Sequence, residues 1–384
     1  MGSTLAPRPF LLRRRARAMA LEGLVSLLLL ALAGCAPRLK LSSGLLKADP
    51  ERTFLIYLRD NDLVRRQGEV EQRIPLARFG CIPEGSLSDS QIFELFPGGK
   101  RALVFSKLSR GGGGDLFGHR GRSVSASCII DLERQEGTPL KGRLEEKSYL
   151  LSARRGDLRV RVGASTGRIY VWEAMPVREP LELIDLASGR QLRMPLPLED
   201  ENCDVVETRT ELLIACIHAP GNAYLGEVVL ARYGLETWPP EERTRTTMTV
   251  APGRRLDRVS FLPDGRHLVT IVVESKDGRP DDLLDIRDVA TGEPAVFFTN
   301  LDWVRAAIVE PTADGQGFLL GERVTPEGRG PDVGRVRHYR FDGTLLETWE
   351  LDDSLNTVIA TSDGKGFWVG FHDKARWYAL KSRN

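Results

Sequence analysis

The feature that most constrains this chain is a tight turn between two apolar strands that returns about every fifty residues. Its clearest copy is Val259-Ser260-Phe261-Leu262-Pro263-Asp264-Gly265-Arg266-His267-Leu268-Val269-Thr270-Ile271. Proline pre-sets the first turn dihedral and Asp or Gly accepts the unusual dihedrals that follow, so the segment reads strand, turn, strand. Similar turns precede apolar runs at Pro97-Gly98-Gly99-Lys100, Ala313-Asp314-Gly315-Gln316 and Ser362-Asp363-Gly364-Lys365. The glycines at 265, 315 and 364 are 50 and 49 residues apart. Asp49-Pro50-Glu51-Arg52, ahead of Phe54-Leu55-Ile56-Tyr57-Leu58, extends the series backwards. Between 99 and 265 the register is filled by weaker copies, Glu145-Glu146-Lys147 and Arg209-Thr210-Glu211. A second turn, Asp288-Val289-Ala290-Thr291-Gly292, has a counterpart in Asp185-Leu186-Ala187-Ser188-Gly189. Leu235-Glu236-Thr237-Trp238 and Leu346-Glu347-Thr348-Trp349 lie 111 residues apart, about two periods, and read as a further echo.

Almost every segment between these turns is short and β-branched, and beyond the N-terminal segment no long stretch has helical period. A β-unit of this size repeated about seven times is the signature of a propeller. The elements Phe261-Leu262-Pro263-Asp264-Gly265-Arg266 and Asp288-Val289-Ala290-Thr291-Gly292 resemble those of WD-repeat-like bacterial propellers. The resemblance is strong over residues 255–380 and faint over 50–250, and it implies an all-β propeller. Seven blades is the expected count, with six and eight as alternatives. The Trp-Asp dipeptide is absent, since Ile286-Arg287-Asp288 stands where it would fall. The last repeat offers only three strands, around Val358–Ala360, Phe367–Phe371 and Arg376–Leu380. An open blade edge is an aggregation hazard, so a fourth strand is expected from around Leu39–Leu46.

The N-terminus has a different character. Arg8, Arg13, Arg14, Arg15 and Arg17 precede an apolar stretch from Leu24 to Leu32 and then small residues. This is the pattern of a secretory signal, and the stretch is too short for a stable membrane-spanning helix. Leu32-Ala33-Gly34-Cys35 resembles the lipobox of bacterial lipoproteins. That resemblance implies cleavage before Cys35, a diacylglycerol on its thiol and an acylated amino group, hence several chains for lasting attachment. The expected division is a signal peptide over 1–34, a lipidated Cys35 with a tether and closing strand over 35–48, and the propeller over 49–384. Ala36 after the cysteine points by the same resemblance to the outer membrane, facing the periplasm or the surface. Cleavage removes five arginines and one glutamate from 54 basic and 53 acidic groups, leaving a net charge near −3. That charge offers nucleic acid no basic face.

Four further cysteines suit an oxidising compartment. In a hairpin around Arg209-Thr210 directly opposed residues have numbers summing to 419, and Cys203 with Cys216 meets that sum. Opposed Cα atoms lie about 4.5 or 5.5 Å apart in an antiparallel pair, within disulfide range. Cys81 and Cys128 carry no such register, and their pairing stays open.

Sequence motifs for chemistry are few. His119, His218, His267, His338 and His372 show no metal-ligand spacing, and no Gly-x-Ser-x-Gly elbow occurs. Arg110-Gly111-Gly112-Gly113-Gly114-Asp115 and the residues up to Arg122 lack the Gly-Lys-Ser/Thr ending of a phosphate loop and read as an insertion between two strands. Thr325–Val333 reads the same way. Asp277, Asp281, Asp282 and Asp285 have irregular spacing for calcium. Trp172, Trp238, Trp303, Trp349, Trp368 and Trp377 fit packing between adjacent sheets. No cofactor motif, catalytic residue or metal site is assigned. The expected function is a membrane-anchored, non-enzymatic binding scaffold with a protein partner. The alternatives are an accessory of outer-membrane β-barrel assembly, which Tyr339–Trp349 resembles loosely, and an enzyme with a central-channel site.

Overall fold

The computed structural model describes residues 38–41, 46–49, 51–82, 90–96, 98–109, 123–140, 158–163, 168–173, 181–198, 202–218, 226–250, 255–262, 265–276, 279–302, 304–324 and 333–381. The chain is a seven-bladed β-propeller, seven four-stranded antiparallel sheets around a common axis. The first described strand, β1 (Arg38–Lys40), belongs to blade 7. Blade 1 holds β2 (Leu46–Ala48), β3 (Leu55–Arg59), β4 (Asp62–Gln67) and β5 (Val70–Pro75); blade 2 holds β6 (Ser90–Leu95), β7 (Arg101–Ser109), β8 (Ser123–Asp131) and β9 (Glu136–Pro139). Blade 3 is β10 (Leu158–Val162), β11 (Ile169–Glu173), β12 (Leu181–Ile184) and β13 (Gln191–Met194). Blade 4 follows with β14 (Cys203–Glu207), β15 (Glu211–His218), β16 (Glu227–Gly234) and β17 (Glu241–Thr249). Blade 5 has β18 (Arg255–Phe261), β19 (His267–Lys276), β20 (Arg279–Asp288) and β21 (Pro294–Asp302), and blade 6 has β22 (Val304–Pro311), β23 (Gly317–Val324), β24 (Val333–Arg340) and β25 (Leu345–Glu350).

Blade 7 contains β26 (Thr357–Ala360), β27 (Gly366–Gly370) and β28 (Lys374–Ala379), and its fourth strand is β1. Arg38 pairs with Arg376 and Lys40 with Lys374. The two ends of the chain thus complete one sheet, which removes the open edge that three strands would leave. The closing strand is shorter than the Leu39–Leu46 segment expected for it, because Leu46 already opens blade 1.

Strand order fixes the geometry. First strands contact first strands of neighbouring blades, as β14 does β18 and β22 does β26, so they line the axis. Fourth strands form the rim, where β17 is exposed along almost its whole length. Alternation of strand direction sends every first-to-second and third-to-fourth connection to one end, called here the turn end. The second-to-third and blade-to-blade connections lie at the opposite, loop end.

Apolar alternation along the strands buries side chains in seven clusters, one between each pair of adjacent blades. Phe54, Ile56, Leu58, Ala102, Val104 and Ile130 fill the junction of blades 1 and 2. Leu39, Leu46, Tyr57, Val64, Ile359 and Ala375 fill that of blades 7 and 1. Trp238, Trp349 and Trp368 pack against the clusters of blades 3 and 4, 6 and 7, and 7 and 1 respectively.

The turn end shows why the repeat is visible in the sequence. In blades 6 and 7, Thr312 and Thr361 Oγ1 each accept the N–H of the first residue of the next strand, Gly317 and Gly366, at 3.1 Å. Each hydroxyl donates to the Asp two positions on, and that carboxylate receives Gln316 N–H or Lys365 N–H at 3.0 Å. Gly99, Gly265, Gly315 and Gly364 have φ between 64° and 67°, a region costly for most residues.

Two sequence expectations need correction or placement. The blade 3 turn of this type spans 163–168, closed by Gly163 N–H on Arg168 O at 2.7 Å; Glu145-Glu146-Lys147 lies outside the described residues. Leu235–Trp238 sits in the connection before a rim strand, whereas Leu346–Trp349 lies within one, so the two are not equivalent. The extra residues before β17, including the cis Trp238-Pro239 bond, displace the motif.

Candidate binding faces and the channel mouth

At the turn end, charge links three blades near the axis. In blade 1 the position that other repeats give to glycine is Arg52, at φ 55°. Its guanidinium reaches past blade 7 to Glu310 Oε1 at 2.8 Å and the Pro311 carbonyl at 2.9 Å, both in blade 6. The same Glu310 oxygen accepts Ala360 N–H, from the last residue of the blade 7 inner strand, at 3.3 Å. Burial pushes the Glu310 carboxyl up to about 7, with Arg52 pulling against it. One half-buried carboxylate therefore ties blades 1, 6 and 7 together at the turn end.

A parallel arrangement holds blades 3, 4 and 5. Asp204 Oδ2 on β14 accepts Phe261 N–H at the end of β18, at 2.8 Å. Tyr170 O–H donates to Glu207 at the end of β14, and burial raises the phenol far above its ordinary range. Beside them the Trp238 ring lies under two guanidinium groups, Arg168 at 5.1 Å and Arg190 at 5.2 Å. Such stacking contributes about 0.5–1 kcal/mol at exposed sites. Farther out, Glu322 is fully buried and takes Arg335 and Arg337 from the adjacent strand. Asp285, also fully buried, takes Arg287 at 2.8 Å. These charges are spent on the frame: each acid named here already meets a backbone amide, a phenol or a guanidinium.

The residues singled out from sequence are placed as follows. Cys203 and Cys216 are directly opposed and joined, with Cα atoms 4.1 Å apart. Cys81 is joined to Cys128, Cα atoms 5.3 Å apart, which fixes the connection leaving blade 1 to the third strand of blade 2. Cys35 lies outside the described residues, as do His119, Asp277 and residues 110–122 and 325–332. His267 and His338 lie in strands, His267 stacked on Phe341 at 5.4 Å between centroids. Among the described residues no three His, Cys, Asp or Glu converge as a metal site, and no helix is long and apolar enough to cross a membrane.

Sequence reasoning missed Arg52 and Glu310. Aligning the turns offers a signal for the first, an arginine in the column that is otherwise Gly99, Gly265, Gly315 and Gly364. Nothing local marks Glu310, whose partners lie in blades 1 and 7.

The two ends of the ring differ in the lengths of their connections. Turn-end connections are short throughout. At the loop end they range from the single residue 303 between β21 and β22 to residues 140–157 between β9 and β10, with 110–122 between β7 and β8 and 325–332 between β23 and β24 in between. A ring with one uniform end and one variable end has the form of a platform that carries its differences on a single face.

No protein-family model matches the chain, and no curated protein matches it by sequence. Solved structures do. The β-propeller domain of Cps50 (Swd1) from Myceliophteria thermophila superposes with a TM-score of 0.55 at 11% identity, over 90% of this chain and 100% of that one. Hydrazine synthase from Kuenenia stuttgartiensis gives 0.53 at 9% identity over 90% and 97%, and Hsv2 from Kluyveromyces lactis gives 0.52 at 10% over 88% and 93%. At such identities the likeness is one of fold, and the fold is a WD-repeat-like β-propeller.

Proposed function

We propose that the mature protein is a lipid-anchored component of the bacterial envelope that uses its propeller as a non-enzymatic platform for a protein partner. The observation that carries this reading is the asymmetry of the ring, with its long connections all on the loop end. Three things support it. Leu32-Ala33-Gly34-Cys35 resembles the lipobox of bacterial lipoproteins. The buried acids near the axis are held by backbone and side-chain donors of the frame itself, which suits a structural role. Two disulfides among the described residues suit an oxidising compartment.

The test joins mass spectrometry with crosslinking in native membranes. The N-terminal peptide is expected to begin at Cys35 carrying acyl chains, and Cys35→Ser is expected to release the protein from the membrane fraction. A specific protein crosslinked to the anchored form should be lost when 110–122 and 325–332 are replaced by short turns. An unmodified Cys35 would overturn the anchor, and capture indifferent to both replacements would overturn the loop end as the binding face.

A further inference from the structure

The placement of the chain's first strand bears on how such an anchor would hold the ring. β1 is the rim strand of blade 7, antiparallel to β28, with its N-terminal residue Arg38 towards the turn end. Only Ala36 and Pro37 lie between Cys35 and Arg38, three residue steps, and a chain spans at most about 3.3–3.6 Å per step. A lipidated Cys35 therefore keeps the rim of blade 7 within roughly 11 Å of the lipid surface. There is no tether long enough to let the propeller tumble freely above it.

A second, independent observation falls on the same corner. Among the described residues two large apolar side chains are exposed, Val70 at 72% and Leu345 at 49%. Val70 is the first residue of β5 and Leu345 the first of β25. Both rim strands begin at the turn end, and their blades, 1 and 6, are the two neighbours of blade 7. The two exposed apolar side chains thus flank the anchored strand, one on each side. The charges nearby are of both signs: Arg340 and Lys381 against Glu69 and Asp342, with Lys381 paired to Glu347 and Glu69 to Arg66. A mixed rim of this kind gives no strong attraction to anionic headgroups, so contact is led by the apolar pair and the anchor.

We infer that the protein lies against the lipid surface on the turn-end rim of blades 6, 7 and 1, with Val70 and Leu345 entering the headgroup layer on either side of β1. This orientation rests on the lipid-anchor reading above. It turns the loop end of the ring away from the membrane, towards whatever partner the platform meets.

The experiment uses the full lipoprotein in phosphatidylcholine vesicles, with an environment-sensitive fluorophore on an introduced thiol at Val70→Cys, Leu345→Cys or, at the loop end, His372→Cys. These positions are exposed, so labelling leaves the fold intact, and acylation of Cys35 is checked by mass spectrometry on each sample. Blue-shifted, brighter emission from 70 and 345 and water-like emission from 372 supports the orientation. Water-like emission from 70 and 345 in vesicle-bound, acylated protein overturns it while leaving the anchor standing. A blue shift at 372 instead overturns it in favour of the opposite face. An unmodified Cys35 and no flotation with vesicles overturn the anchor and the orientation together.

Discussion

At the turn end of blades 6 and 7, hydroxyl, carboxylate and glycine hold each hairpin closed within six residues of sequence, from Thr312 to Gly317 and from Thr361 to Gly366. At the loop end of blade 4 the first two strands are instead held by the Cys203–Cys216 bond. A second bond, Cys81–Cys128, fastens the connection that leaves blade 1 from that end. The turn end is stabilised many times over by local hydrogen bonds. The loop end relies on a few covalent ties, and its connections are therefore free to differ from blade to blade.

The sharpest way to test that contrast is to cut the ties. Cys81 and Cys128 enclose a separation of 47 residues and Cys203 and Cys216 one of 13. On the chain-entropy account their double replacement by alanine should destabilise by about 4 and about 3 kcal/mol respectively, read as lowered urea midpoints. Gly317→Ala tests the turn end, because a Cβ there would run into the Tyr339 carbonyl oxygen. A loss of about 2 kcal/mol is expected, as for other overpacked sites. Thermal unfolding that leaves its midpoint unchanged would show that blade 6 can yield at this point.

The turn-end clasp gives a pH signature. Glu310 is held near 7 in the folded protein against an ordinary 4.5, so folding favours its protonated form. Its contribution to stability is greatest below 4.5 and declines as pH climbs through 7. Glu310→Gln should flatten this part of the stability profile, and an unchanged slope would place its origin elsewhere. The smallest effect belongs to a single turn. Thr361→Val removes one hydroxyl from a redundant set and should lower stability by about 1 kcal/mol, measurable by denaturant titration.

The same contrast explains what could be read from sequence. Repeats announce themselves where local chemistry dictates backbone shape, and that is the turn end: Gly265, Gly315 and Gly364 stand in register because each must take a positive φ. The Cys203–Cys216 pairing was legible for the same reason, since a hairpin turn fixes register across its strands. Blade 3 was misread because Gly163 to Arg168 closes its turn without the Asp-Gly pair. Cys81–Cys128 and the Arg52–Glu310 clasp depend on how separate blades are placed in space, and hydrophobic alternation is silent on that. The apolar corner was equally hidden: Val70 and Leu345 look like any strand residue until the ring sets them beside β1.

The pairing of β1 with β28 also orders events in time. β1 has to wait for β28, which is made much later, since Arg38 pairs with Arg376. Six blades are built from consecutive strands, while the seventh stays short of a member until β1 meets β28. A chain stopped early would carry an unfilled edge on blade 7 and an idle strand at its start. Completion of the ring thus requires both β1 and β28, two strands far apart in sequence.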